Sequence, residues 1–293
     1  MNAKNDLLLF LFVLLVLGVI WFVNGGPSRF SSTEPFLSPP APLGSGGTYG
    51  SGSSGQGGFF SFITSGGGVQ KTPGATSSYS ENVSLEQGSA GASKPGEEYL
   101  RLRAVGASVN ITGWKLRSRT SGNAVTIGKG AALAYSAQVN YESDIILKSG
   151  DEALLTSGRS PVGVSFRTNI CSGYFEQFQD FTPPLFSNCP LPRDELSLVG
   201  PNNLSDSCIN VIESMPPCRM EISPPTDISP ECSAFIIDKI NYSQCVLNHK
   251  SDADFAGTEW RVFLNQDKEL WKERRETIDL IDRSGTIVST LTY

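Results

Sequence analysis

The feature that most constrains this chain is an uninterrupted apolar run, LLLFLFVLLVLGVIWFV, at residues 7–23. As a helix the run would extend about 26 Å at 1.5 Å per residue, close to the roughly 30 Å of a bilayer's hydrocarbon core. Every face of such a helix is apolar, so it has no polar side to turn towards water. The run therefore predicts one N-terminal transmembrane anchor, residues 1–23, with Trp21 and Phe22 at the far interface.

The residues beside the run leave one alternative open and suggest an orientation. Asn24-Gly25-Gly26 supplies small residues, so a cleaved signal peptide is the alternative, although no A-x-A site follows and the run is longer than the usual h-region. Lys4 precedes the run, and Arg29 is the first charge after it. This distribution predicts an N-terminal tail that stays inside and a remainder that is exported. We expect a single-pass cell-membrane protein whose partner through residues 7–23 is the membrane.

Residues 24–96 have the composition of a disordered linker. This segment contains 17 Gly, 16 Ser and 7 Pro, and it has only six charged residues. Such a composition cannot bury enough apolar surface to offset the entropy of ordering the chain. We therefore expect a tether between the anchor and a head domain at residues 97–293.

The head begins and ends with short alternating segments that are typical of β-strands. Residues 98–104 alternate apolar and polar side chains, and VNITGWKLRS follows after a turn. We expect a hairpin in which 144–148 pairs with 152–156. A second expected hairpin joins 276–282 to 286–293 through a turn that contains Asp282 and Gly285. Short strands at this spacing favour a sandwich or a barrel over alternating β and α units.

The order of these motifs resembles the lamin tail domain. The motifs are E-Y-L-R-L, I-T-G-W-K-L, V-x-I before a glycine turn, and an I-x-L-x-D-x-x-G hairpin that ends in tyrosine. The resemblance covers residues 97–156 and 257–293, and its most specific part is the G-W-x-L piece at Gly113, Trp114 and Leu116. It implies an immunoglobulin-like β-sandwich that binds or scaffolds and has no known catalytic residues.

The region between these two parts, residues 157–256, departs from the family as a cysteine-rich insertion. Two helical patterns lie in it. The first has Ser205 or Asp206 as its N-cap and places Cys208 on its apolar face. The second has Ser229 as its N-cap and Pro230 at the first helical position. The sequence thus predicts a mainly β fold with a partly helical insertion.

All six cysteines lie in this insertion, and none forms a C-x-x-C or C-x-x-H pair. Downstream of an export anchor, an even number of cysteines favours disulfides over a zinc site or free thiols. If the two helices form an antiparallel hairpin, their neighbouring ends pair Cys218 with Cys232, and their outer ends pair Cys208 with Cys245. Cys171 and Cys189 would then close the aromatic loop between them. Fifteen connectivities are possible for six cysteines, and peptide mapping would distinguish them.

The ionisable residues indicate no catalytic motif. His249 is the chain's one histidine, and Gly-x-Ser-x-Gly and P-loop motifs are absent. Asp252, Asp254 and Glu259 favour a solvated acidic loop, because the closing ligands of a calcium loop are missing. The basic residues at 268–275 alternate with glutamates around Trp271 and favour a mixed-charge face. The net charge of −6 argues against a nucleic-acid binder.

These observations predict a membrane-anchored, extracytoplasmic binding or scaffolding protein rather than an enzyme, with no cofactor and no metal. We expect its ligand to be a protein or a cell-envelope polymer. The alternative is an exported hydrolase whose site lies in the insertion. A cleft with convergent ionisable groups between insertion and sandwich would favour the hydrolase, and its absence would favour binding.

Overall fold

The computed structural model describes residues 13–17, 19, 77–199 and 204–293, and it divides the chain into two compact units at Gly67 and Gly68. In the first unit, residues 13–17 and 19 are helical. The rest of the predicted anchor, and the predicted linker as far as residue 76, lie outside the described residues. Among the helices that are described, none is both long enough and apolar enough to cross a membrane.

The second unit is mainly β, with three sheets and a group of short helices. In chain order the strands are β1 (Val83–Glu86), β2 (Tyr99–Ala104), β3 (Val109–Asn110), β4 (Lys115–Ser118), β5 (Ala124–Thr126), β6 (Ile146–Leu147), β7 (Glu152–Thr156), β8 (Phe166–Asn169), β9 (Ala256–Phe263), β10 (Thr277–Ile281) and β11 (Ile287–Thr292). The helices are a 3-10 helix, η1 (Ser172–Gln177), and four α-helices, α1 (Pro192–Val199), α2 (Asp206–Ser214), α3 (Pro230–Lys239) and α4 (Tyr242–His249).

Two larger sheets contribute to one hydrophobic core. The first has the strand order β1-β2-β7-β9-β8 and the second the order β11-β10-β4-β5, while β3 and β6 form a small third sheet. Buried and more exposed side chains alternate along β2 and β4, so that every second residue of these strands faces the core. Leu102 of the first sheet and Leu116 and Leu280 of the second belong to the same buried cluster, with Trp114 among them.

The helices begin where local side chains cap them. The Ser205 side chain accepts a hydrogen bond from the Cys208 amide at the start of α2, and Ser229 does the same for Cys232 at the start of α3. These serines satisfy amide groups that have no partner inside the first turn. Pro230 occupies the first turn of α3, where its missing N–H costs nothing.

The predicted hairpin between 144–148 and 152–156 is wrong. Strand β6 pairs with β3 in the small sheet, whereas β7 pairs with β2 on one side and runs parallel to β9 on the other. The turn at 149–151 therefore moves the chain from one sheet to another. Its sequence resembles that of a hairpin turn because it contains Gly150, which adopts a φ of +88°. Glycine suits a tight turn of this kind whether the turn joins paired strands or two different sheets.

Two predicted boundaries also move. The linker was expected to reach residue 96, but β1 at Val83–Glu86 already pairs with β2 in the first sheet. The insertion was expected to begin at 157, but β8 lies within that range and pairs with β9. Strand β8 depends on a partner far along the chain, and β1 is a short edge strand that carries little periodicity of its own.

Candidate functional site

Three disulfides hold the helical region, and they account for all six cysteines. The predicted number is therefore confirmed, but the predicted pairing is wrong for every bond. The Cα atoms lie 6.0 Å apart in Cys171–Cys245, 5.1 Å apart in Cys189–Cys218 and 5.7 Å apart in Cys208–Cys232.

The pairing differs because α2 and α3 do not form the antiparallel hairpin that was assumed, in which the end of one helix lies beside the start of the other. Cys208 and Cys232 occupy the same position in their helices, three residues after the capping serines, so the two helix starts are joined to each other. Cys245 lies inside a separate helix, α4, which begins after the cap at Asn241. That helix brings Cys245 to the start of η1, where Cys171 lies.

The aromatic segment that follows Cys171 forms the first wall of a cavity. The Asn169 side chain accepts a hydrogen bond from the Cys171 amide at 2.9 Å, and the Ser172 hydroxyl accepts one from the Asn169 amide at 2.8 Å. These contacts turn the chain from β8 into η1, where Tyr174 and Phe175 are buried. The aromatic residues of η1 therefore lie against the strands.

Helix α4 forms the second wall through Tyr242. The Tyr242 hydroxyl donates to the carbonyl of Ala134 at 2.5 Å, and its ring centroid is 4.4 Å from that of Phe175. The Tyr135 ring meets the Tyr242 ring edge to face at 5.7 Å. Since pairs at these distances attract each other beyond their buried area, the three rings stabilise one another's positions.

A third wall comes from the segment after Cys218. The Gln177 side chain donates from Nε2 to the Met220 carbonyl at 2.8 Å and accepts from the Met220 amide at 2.7 Å. A side-chain amide that pairs with both backbone groups of one residue imitates a β-ladder and fixes the backbone beside η1. The Cys189–Cys218 disulfide holds the beginning of the same segment.

These walls enclose a cavity of about 240 Å³. Its lining combines aromatic rings with amides and hydroxyls, and the residues that lie around its mouth and floor are Tyr135, Gln138, Tyr174, Phe178, Gln179 and Tyr242. Phe178 is about half exposed, at 49%, whereas Tyr174 is nearly buried. Tyr135 and Gln138 come from the sandwich part of the chain, and the others come from the predicted insertion.

The described lining of this cavity carries no charge at neutral pH. It contains no Asp, Glu, Lys, Arg or His. Burial, and then the negative charge of Glu195, raise the pKa of Tyr174 to about 12, and burial also raises the pKa of Tyr242 above its ordinary value. Both phenols therefore remain protonated, and the Tyr242 proton is the one donated to the Ala134 carbonyl.

His249 lies outside this lining, between two carboxylates. Its Nε2 is 2.9 Å from Glu195 Oε1, and its Nδ1 is 2.7 Å from Asp252 Oδ2. Because both ring nitrogens contact carboxylates, neither is directed at a serine or threonine hydroxyl that it could activate as a nucleophile. The contacts join α1, which carries Glu195, to the end of α4.

The other predicted ionisable residues do not converge. Glu259 is buried and accepts a hydrogen bond from Arg261 at 2.5 Å rather than lying in a solvated loop with Asp252 and Asp254. Trp271 is likewise buried, and its amide donates to Glu98 at 3.0 Å. Among the described residues there is no group of three or more His, Cys, Asp or Glu placed to hold a metal ion.

The residues singled out by their resemblance to a family motif lie in the core and in turns, not in the cavity lining. Trp114 and Leu116 are fully buried. Gly113 has a φ of +80°, and a Cβ at this position would lie 3.1 Å from Nε of Arg283. Asp282 holds the last turn by accepting a hydrogen bond from the Thr286 amide at 3.0 Å, and Gly285 adopts a φ of +81° within it. These five residues build the scaffold.

Sequence reasoning missed the residues that line the cavity. The aromatic run after Cys171 was interpreted as a loop closed by Cys189, and Asn241 was not identified as a helix cap. Two signals could have found them: four aromatic residues in GYFEQFQDF, and an Asn that precedes an eight-residue apolar-periodic stretch. Tyr135 carries no such signal, because its position depends on contacts with residues about a hundred positions away.

Comparisons with protein-family models, with curated proteins and with solved structures each found no match to this chain.

Proposed function

We propose that this chain is a membrane-anchored binding protein that displays its head outside the cytoplasmic membrane and holds one neutral sugar unit of a cell-envelope polymer. The apolar run at 7–23 is its anchor, and the Gly- and Ser-rich segment that follows carries the head away from the bilayer. The ligand is held in the cavity between η1 and α4.

The observation that carries this proposal is the uncharged, aromatic lining of that cavity. Sugar rings present C–H groups on their faces and hydroxyls on their edges. Phenyl and phenol rings pack against the faces, while amides and protonated phenols pair with the hydroxyls. Tyr135 and Phe178 offer the rings, and Gln138 and Gln179 offer side-chain amides.

The volume of the cavity favours a single ring. Sites for drug-sized ligands measure roughly 300–1,000 Å³. A cavity of about 240 Å³ is smaller than that range and accommodates one unit of a longer chain, with the neighbouring units outside. A tethered head with such a site suits a polymer, because a long ligand offers the same unit many times.

The lamin tail resemblance supports a binding role through the scaffold. Two sheets share one core, Trp114 lies inside it, and the final hairpin has its turn at Asp282 and Gly285. These features agree with an immunoglobulin-like sandwich of lamin tail type, which we propose for the head. Such a scaffold positions a site on its attached segments and supplies no reactive groups itself.

The alternative, an exported hydrolase in the insertion, would need convergent ionisable groups in the cleft. The uncharged cavity lining and the occupied nitrogens of His249 favour binding over that alternative.

The test is a titration of the oxidised second compact unit, residues 68–293, which includes the head and strand β1, with fragments of neutral envelope polysaccharides, followed by calorimetry and by NMR. We expect Phe178→Ala to weaken binding about two- to tenfold, because a ring lost from a stack costs about 0.5–1.5 kcal/mol. Phe186→Ala is the matched control, since Phe186 is exposed and lies in the same aromatic segment but outside the lining.

Binding that weakens equally in both variants would contradict the proposed site. So would fragments that shift no resonance of the residues around Tyr135 and Tyr242. Turnover of the polysaccharide by the wild-type head, with release of shorter products, would instead favour the hydrolase.

A further inference from the structure

The outer face of the four-stranded sheet carries three cations in a row. Lys115 and Arg117 are exposed residues of β4, and Arg119 follows the strand with the same two-residue spacing. Side chains at every second position of a strand point to the same side, about 6.6–6.8 Å apart. The inward residues between them, Leu116 and Ser118, are fully buried, which fixes the cations on the outer side.

One carboxylate forms ion pairs with two of these cations. Asp279 of β10 lies opposite Arg117 in the sheet register and is fully covered. Its oxygens accept from Arg117 Nη2 at 3.0 Å and from Arg119 Nη2 at 2.7 Å and Nε at 2.9 Å. The hydroxyl of Thr290 donates to it as well, at 2.9 Å. The carboxylate is therefore saturated, and it holds both guanidinium groups beside it.

The positive charge on this face is not balanced by the remaining outward residues. Lys115 lies opposite Thr126 on one side and Ile281 on the other, and it makes no ion pair with a described residue. The other outward positions of the described strands are uncharged, and they are Ala124, Thr277, Ile287, Thr290 and Thr292. Three cations with one buried anion leave two uncompensated charges, although the whole chain has a net charge of −6.

The arginine side chains remain available to a ligand. About half of each is exposed, 47% for Arg117 and 52% for Arg119. A guanidinium that has used one edge on Asp279 still has donors on its other edge, and this planar group pairs well with the two oxygens of a phosphate.

We propose that this face binds a linear phosphodiester polymer without bases, laid along β4 over Lys115, Arg117 and Arg119. The spacing of these cations along an extended strand lets successive phosphates of an extended chain meet successive cations. The face is independent of the sugar cavity, with which it shares no residue.

The composition of the face disfavours a nucleic acid as the ligand. Proteins that bind single strands combine cations with aromatic platforms on which the bases stack. The outward residues around these cations are threonines, an alanine and isoleucines, so the described face offers phosphate contacts but no ring on which a base could stack.

The experiment uses the full-length chain in micelles of an uncharged detergent and titrates it with poly(glycerol phosphate) at several salt concentrations. Each neutralised contact to a flexible polyanion changes the logarithmic salt slope by about −0.7. We expect a slope of about −1.4 for the wild type, from two uncompensated cations, and about −0.7 for Lys115→Gln. Lys148→Gln is the matched control, because Lys148 is an exposed lysine of a turn and makes no ion pair with a described residue.

Arg117→Gln is a second variant, in which Arg119 still pairs with Asp279 and the carboxylate is not left alone. We expect it to reduce the slope as Lys115→Gln does, with the unfolding temperature measured to confirm that the head is folded. Equal losses in Lys115→Gln and Lys148→Gln would overturn the proposal. Stronger binding to single-stranded DNA with the same number of phosphates would also overturn it, as would complete displacement of the polymer by micelles that contain phosphatidylglycerol.

Discussion

The disulfide between Cys171 and Cys245 joins the start of η1 to the middle of α4, with their Cα atoms 6.0 Å apart. These two elements carry Tyr174 and Tyr242, which lie on the floor of the cavity. The same bond closes the longest loop of the three, with a sequence separation of 74 residues. One covalent link therefore serves both the stability of the head and the geometry of the candidate site.

Replacement of both cysteines, Cys171→Ser with Cys245→Ser, should lower the free energy of unfolding by about 4 kcal/mol. The chain-entropy argument assigns this amount to a loop of such length. Denaturant unfolding of the variant and the wild type measures it. The Cys208→Ser and Cys232→Ser pair is the control, since its shorter loop should cost about 3 kcal/mol without altering the cavity. A larger loss in this second pair would contradict the ranking.

Trp114→Ala should destabilise the head by about 3–5 kcal/mol, because it removes a fully buried indole from the core shared by the two sheets. The free energy of unfolding, measured by denaturant titration, checks this value. Tyr141→Ala is the control, since that ring is 87% exposed and should change the free energy by less than about 0.5 kcal/mol. A loss below about 1 kcal/mol for Trp114→Ala would show that the indole does not support this core.

Gly173→Ala should destabilise the helical region by about 1–3 kcal/mol, the usual cost of overpacking. A Cβ at this position would lie 2.7 Å from the Phe186 carbonyl oxygen and against the sulfur of Cys218. Neither neighbour can move freely, because Cys218 is bonded to Cys189. Thermal unfolding measures the effect, and Gly128→Ala should leave it unchanged, since a Cβ there meets nothing within 4 Å.

The contact between α1 and α4 should weaken as the pH rises above neutral. Burial opposes protonation of the His249 ring, but the hydrogen bonds and charges of Asp252 and Glu195 outweigh it and raise the pKa of His249 above 6.5. A raised pKa in the folded state contributes stability that is complete below the unfolded pKa and is lost as the pH rises through the folded pKa. We therefore expect the free energy of unfolding to decrease between about pH 6 and pH 8.

The variant His249→Gln isolates this contribution. Gln cannot titrate, so the difference in unfolding free energy between wild type and variant should be largest at the acidic end of this range and should shrink towards the alkaline end. A difference that is constant with pH, or one that grows as the pH rises, would contradict the assigned protonation. Glu195→Gln should reduce the same slope, because it removes one of the two charges that favour the imidazolium.

The features that could be predicted from the sequence are those decided within a few residues. The cap at Ser229 and the proline after it determine where α3 begins, because they satisfy or omit amide groups of the same turn. The final hairpin follows in the same way from Asp282 and Gly285, and the alternation in 99–104 places Leu100 and Leu102 on the core side. In each case the interacting groups are neighbours along the chain.

The features that could not be predicted depend on where distant segments meet. Cys208 pairs with Cys232 because the starts of α2 and α3 lie together. The lengths and caps of the two helices do not determine how the helices are oriented relative to each other. Strand β7 meets β9 in parallel, and the cavity brings Tyr135 to Tyr242 from over a hundred residues away. The sequence by itself determined a β-rich head, the starts of α2 and α3, the core side of β2 and the number of disulfides. The partners of those cysteines and the lining of the cavity were decided by tertiary packing, because many arrangements satisfy the same local rules and only the shared burial of remote side chains selects one.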